Sequence, residues 1–278
     1  MWINRTFVIT AGVLALAACA DNPAAGGAGN VQLRFGVAGG QALASEALFQ
    51  TAGTDQLTIT GANGTLVIDD LRMVVSEFEL KGDDDVNTCG GVDDDGTDDR
   101  GSGDAGGDDG AADDCDDFEA GPMFIDFPLT GGAVSVGSGN VPAGTYREVE
   151  FEVEDLHDDE ENAAERARID QLRTQILAQF PDWPRDASLL VVGTFTPTGG
   201  APQSFRAFVE AEIEIETELS PRLVVGEGET RGVDVLLDAA TIFRSGANVL
   251  NLAQASGRNE LEIRIENGFH GHGGSGHN

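Results

Sequence analysis

The chain has 278 residues, enough for one large β domain or two small ones. Its 49 acidic residues against 16 Lys and Arg give a net charge of −33, which argues against nucleic acid and anionic lipid headgroups as partners. The balance suits cations or basic partners, and 40% hydrophobic residues suffice for a core.

The first 19 residues read MWINRTFVITAGVLALAAC. Arg5 makes a short positive region, and the apolar run from Phe7 to Ala18 is too short to span a bilayer but suits a signal peptide. Leu16-Ala17-Ala18-Cys19 resembles a bacterial lipobox, in which the Cys is acylated and becomes the N-terminus. The resemblance implies a signal peptide over 1–18, lipidation of Cys19, and membrane attachment through that lipid. Ala20, with no Asp at that position, implies sorting to the outer membrane, as a periplasmic or surface-facing lipoprotein. Residues 19–30 then form a Gly/Ala-rich tether.

From Val31 the pattern is β. Val31–Val37 reads as a strand. Gln56–Thr60 and Thr65–Ile68 flank Asn63-Gly64, a hairpin signal because both central positions of such a turn need φ > 0. Asp69-Asp70 read as a corner and Leu71–Leu80 as one strand.

An acidic stretch interrupts the β pattern. Between Lys81 and Glu119 there are 16 acidic residues against Lys81 and Arg100. Too few apolar side chains are present to offset the ordering entropy, so 82–117 reads as an insertion into a folded domain. With Cys19 lipidated, Cys89 and Cys115 remain as a pair in an oxidising compartment, where a disulfide is the default. Closing that loop contributes roughly 3 kcal/mol on the chain-entropy model.

Met123–Leu129 and Val134–Val136 resume the strands. Pro142-Ala143-Gly144 turns the chain into Thr145–Leu156, where Val149, Phe151 and Val153 alternate with four Glu. Strict period-2 alternation means one dry and one wet face. Asp158–Phe180 changes to a helical period, with Ile169, Leu172, Ile176 and Phe180 on one side. Pro181 ends the helix, and Trp183 is expected to pin the following turn on the sheet.

Leu189–Phe195, Ser204–Leu219, Arg222–Val225 and Gly232–Leu237 read as further strands. Glu260–Gly268 fits a strand (Leu261, Ile263, Ile265) or a short helix (Leu261, Ile265, Phe269), and period does not decide. Residues 270–278 form a Gly/His tail. The expected fold is mainly β: a sandwich over 31–269 with one amphipathic crossover helix and a long acidic loop insertion.

The run TLVIDDLRMVVSEFEL, an acidic insertion, FIDFPL and VPAGTYREVEFEVE resembles a family of bacterial lipoproteins that carries a domain-of-unknown-function label. Val141-Pro142-Ala143-Gly144-Thr145-Tyr146 is its best match, and the resemblance covers roughly 56–156. It implies an immunoglobulin- or transthyretin-like β-sandwich in the cell envelope. The family has no assigned activity.

Three groups carry candidate chemistry. Asp83, Asp84, Asp85, Asp93, Asp94, Asp95, Asp98, Asp99, Asp113, Asp114, Asp116 and Asp117 supply the carboxylate oxygens that Ca²⁺ takes in irregular geometry, although no complete EF-hand loop is present. A solvated acidic spacer accounts for the same residues. His270, His272 and His277 offer imidazoles to Zn²⁺, Cu²⁺ or Ni²⁺. The Glu faces of Thr145–Leu156 and Ser204–Leu219 are the fallback for Ca²⁺. No HExxH, GxSxG or P-loop occurs, so no catalytic residue is nominated. The reading is a lipid-anchored envelope protein that acts by binding, with a Ca²⁺-responsive acidic loop. The alternative is transition-metal handling through the His tail, and an envelope hydrolase is a third class without a motif. A protein or carbohydrate partner is not specified by the residues.

Overall fold

The computed structural model describes residues 27–38, 56–83, 118–156, 163–265 and 268–274. The fold is mainly β, with several sheets in an open, sandwich-like arrangement.

The first sheet holds β1 (Ala28–Ala38), β7 (Ala133–Pro142), β12 (Thr230–Asp238) and β15 (Phe269–Gly274), in the order β15-β12-β1-β7. The second has β2 (Leu57–Gly61), β3 (Gly64–Val75), β9 (Leu189–Pro197) and β10 (Gln203–Val209), in the order β10-β9-β3-β2, with β6 (Met123–Asp126) also on β3. The third has β4 (Glu77–Gly82), β5 (Phe118–Ala120), β8 (Gly144–Val153) and β11 (Ile213–Val225), in the order β11-β8-β4-β5. A small ribbon pairs β13 (Arg244–Ser245) with β14 (Asn248–Val249).

The inward residues follow the period-2 expectation. Leu33 and Phe35 of β1, Leu66, Ile68 and Leu71 of β3, and Val149, Phe151 and Val153 of β8 are all essentially inaccessible. Burying each such side chain stabilises by ~1.5–3 kcal/mol. The sheets meet at Phe35, whose ring is edge-on to Phe151 at 5.5 Å and to Phe127 at 6.3 Å.

Two runs that read as single strands each serve two sheets. Leu71–Leu80 breaks at Ser76, where β3 of the second sheet hands over to β4 of the third. Ser204–Leu219 breaks between Val209 and Ile213, handing β10 of the second sheet to β11 of the third. Strands that change sheets turn the corners of such folds. Ser188, fully buried, ties the two breaks together. Its carbonyl accepts from Val74 N at 2.7 Å, and its Oγ accepts from Ala211 N at 2.9 Å.

Asp69-Asp70 is not a corner. β3 runs straight through, with a register shift against β9 between Ile68 and Asp70. The hairpin centres on Ala62-Asn63, because Gly61 and Gly64 already pair. Gly64 sits at φ +154, with Thr196 O only 2.3 Å from where a Cβ would be. Asn63 instead reaches across the chain. Its Nδ2 donates to Val249 O at 2.8 Å and its Oδ1 accepts from Val249 N at 2.9 Å, imitating a backbone pair.

The Pro142-Ala143-Gly144 corner carries the chain from β7 in the first sheet to β8 in the third. The chain's single tyrosine closes it: Tyr146 is fully buried, and its hydroxyl donates to Pro142 O at 2.7 Å.

Helix α1 (Ala163–Gln179) crosses from β8 to β9, as the period predicts. Ile169, Leu172 and Ile176 pack on Val74, Phe124, Leu156 and Trp183. Trp183 Nε1 donates to Ala187 O at 2.9 Å, and its ring is edge-on to Phe124 and Phe208. Two further helices join the expected one. Short α2 (Ala239–Ile242) is capped by Asp238 Oδ1, which accepts from Ala240 N and Thr241 N. Residues 255–265 form α3 (Ala255–Ile265), which buries Leu261 and Ile265 and resolves the ambiguous C-terminal period as helix.

Among the described residues, β1 starts at Ala28, inside the expected tether, and β15 runs from Phe269 into the expected tail of 270–278.

Candidate functional site

The acidic character predicted for the strands converges on the outward face of the third sheet. Alternation on β4, β8 and β11 sends apolar residues inward and acidic ones outward. Cross-strand register then stacks the acids in rows. Glu77, Glu152 and Glu214 form one row. Glu119, Glu79, Glu150 and Glu216 form the second, and Lys81, Glu148 and Glu218 the third. Like charges directly opposite each other destabilise a sheet, so the Glu–Glu pairs of this face rely on the core beneath it.

Its centre is tight. Glu148, Glu150 and Glu216 each offer a carboxylate oxygen, and these atoms lie within 4.8 Å of one another. Lys81 Nζ is hydrogen-bonded to Glu150 Oε2 and lies 3.8 Å from Glu79 Oε2. The Glu150 hydrogen bond raises the Lys81 pKa, and burial opposes it. Glu214 is pushed above the ordinary glutamate value, first by its hydrogen bond with Glu150 and then by that residue's charge. Glu77 is also pushed up, first by burial and then by Glu152 and Glu119. These carboxyls hold protons longer than free glutamates do. A divalent cation relieves the same crowding by another route, because hard ions take several carboxylate oxygens at once.

Asp83 comes directly after β4, past a register shift between Lys81 and Gly82. It is 1% exposed, and its Oδ2 is paired with Arg222 of β11. Its backbone N donates to Thr145 O at 2.8 Å. Of the twelve nominated Asp residues it is the one described, and it serves as a structural anchor where the acidic segment leaves the sheet. Leu80 pairs with Phe118, so the segment departs from and returns to the β4–β5 hairpin.

Asp84, Asp85, Asp93, Asp94, Asp95, Asp98, Asp99, Asp113, Asp114, Asp116 and Asp117 lie outside the described residues, as do Cys19, Cys89, Cys115 and His277. His270 and His272 are exposed on β15. Among the described residues, His270 and His272 are not part of the carboxylate group. Glu77, Glu79 and Lys81 were missed as members of the face. Their alternation with Phe78 and Leu80 was the available signal, but the register that places them opposite β8 has no local signature.

Elsewhere, a cavity of about 210 Å³ lies between α1 and the turn that follows it, bordered by Ile176, Leu177 and Trp183. Among the described residues no helix is long and apolar enough to cross a membrane.

No family model matches the sequence, and no curated protein matches it. Among solved structures, MbnP from Methylosinus trichosporium is similar at 16% identity, over 81% of this chain and 79% of that chain, with a TM-score of 0.34.

Proposed function

We propose that this is a lipid-anchored, non-enzymatic binding protein of the outer membrane that collects hard divalent cations, Ca²⁺ foremost, on the carboxylate face of β4, β8 and β11. The observation that carries the reading is the convergence of Glu148, Glu150 and Glu216 oxygens within 4.8 Å. The Asp-rich segment, which springs from the edge of the same sheet, adds weaker sites and raises the local cation concentration. The lipobox-like Leu16-Ala17-Ala18-Cys19 supports the anchor, and labelled palmitate should enter the wild type but not Cys19→Ala.

Calorimetric titration of the mature chain with Ca²⁺ tests the site. Extracellular-type sites bind with Kd of about 10⁻⁴–10⁻³ M, and this open face belongs in that range. Glu150→Gln/Glu216→Gln should remove the strongest binding step, whereas deletion of 84–114 should leave it. The reverse pattern would assign the sites to the acidic segment. No uptake by either protein at millimolar Ca²⁺ would overturn the reading.

A further inference from the structure

β15 reads Phe-His-Gly-His-Gly-Gly. Alternation turns Phe269 and Gly271 into the core and leaves His270 and His272 exposed on the opposite face. On one side the strand is hydrogen-bonded to β12, with His270 opposite Leu236 and His272 opposite Asp234. On its other side lies β11. A Cβ at Gly271 would meet Thr217 Cγ2 at 3.0 Å, and one at Gly273 would meet Pro221 O at 3.0 Å. Beyond Phe269 the strand therefore fills a slot between the first and third sheets that is tight at Gly271 and Gly273.

This docking changes what the two histidines can do. On a flexible tail they would be independent imidazoles. On a paired strand, residues two apart share a face and are spaced by about 6.6 Å, so both rings reach one ion. His272 Nδ1 lies 3.5 Å from Ser220 O. A proton directed at that carbonyl leaves Nε2 as the free donor, the arrangement that orients metal-binding imidazoles. Asp234, opposite His272, is paired with Arg34 at 2.6 Å, so the two imidazoles are the ligands assigned and solvent completes the coordination. Paired imidazoles favour borderline ions over Ca²⁺.

We propose that His270 and His272 form a chelating site for a borderline divalent cation such as Zn²⁺, and that occupancy clamps β15 between the two sheets. The site is separate from the carboxylate face and stands or falls independently of it.

Zn²⁺ titration of the mature chain, with thermal unfolding alongside, tests this. Zn²⁺ should raise Tm, because an ion bound only by the docked strand stabilises the folded state. His270→Ala and His272→Ala should each weaken binding by more than about tenfold, since even substitutions around the ligands cost 10–100-fold, and should abolish the Tm rise. Gly273→Val keeps both histidines but jams the strand against Pro221 O, and should weaken binding as strongly. His277→Ala and Glu150→Gln/Glu216→Gln should leave Zn²⁺ binding unchanged. Wild-type affinity in either β15 histidine variant, or loss of binding in Glu150→Gln/Glu216→Gln, overturns the proposal. So does undiminished affinity in Gly273→Val, which would mean chelation by an undocked tail. Should Gly273→Val not fold, titration of wild-type protein in denaturing urea replaces it, and equal affinity folded and unfolded overturns the proposal.

Discussion

The outward faces of the second and third sheets have opposite fates, although one stretch of chain contributes to both. Before Ser76, β3 sends Val74 outward; after it, β4 sends Glu77, Glu79 and Lys81 outward. Over Val74 lies a cover: α1 contributes Ile169, Leu172 and Ile176, and Trp183 meets Phe124 and Phe208 edge-on and Phe180 at a tilt. Arg206 caps this aromatic group, lying 5.7 Å above the Phe180 ring and 5.3 Å above that of Phe208. Over the glutamates the contribution of α1 is of the opposite kind: Glu165 adds another negative charge to those that raise the Glu77 pKa. An apolar outward face needs protein to exclude water, whereas a carboxylate face needs water, protons or cations to relieve its charge. The first is a stability element and the second an opening for ligands.

The largest effect should come from breaking the covered face. Ile176 is 2% exposed against Val74, so Ile176→Ala should cost about 2–5 kcal/mol in urea denaturation. Leu177, its helix neighbour, is 41% exposed, and Leu177→Ala should stay within about 0.5 kcal/mol. Equal costs would mean that α1 does not act as a cover.

The open face should show itself through pH. Glu77 and Glu214 have folded pKa values raised above the ordinary 4.5. Between 4.5 and those raised values the folded state binds more protons than the unfolded one, so stability falls as pH rises through that window. Acidifying from neutral toward 4.5 should therefore raise Tm. Below 4.5 the sign reverses. Glu229, lowered by its hydrogen bond with Arg231, and Glu260, lowered by Ser245 and then Arg264, give up stability as pH falls through their folded values. Glu214→Gln should raise Tm slightly at pH 7, with the gain shrinking in high salt as screening takes over. A Tm that only falls on acidification from pH 7, in wild type and variant alike, would remove the crowding argument.

Much of this was legible in the chain. The period-2 pattern of Thr145–Leu156 named its buried residues correctly, and the 3.6 period read over 158–180 named Ile169, Leu172 and Ile176 on the face that α1 (Ala163–Gln179) packs inward. The Phe269–Gly274 strand was not legible, because a Gly/His run carries no hydrophobic period; its glycines are there for a slot that two distant strands create. The Asn63-Gly64 signal located a turn but not its centre, since Asn63 is claimed by Val249, 186 residues away.

By itself, then, the sequence determined which side of the alternating strands is dry, where the crossover helix lies, and that an acidic segment interrupts a β domain. These follow from side-chain chemistry repeating at the period of the local backbone. Tertiary structure decided that Leu71–Leu80 and Ser204–Leu219 each divide between two sheets, that Glu79, Glu150 and Glu216 share a row, and that His270 and His272 stand on a docked strand. Register and sheet membership are set by cross-strand pairing and by the shape of the shared core, and those contacts join residues that no local window contains.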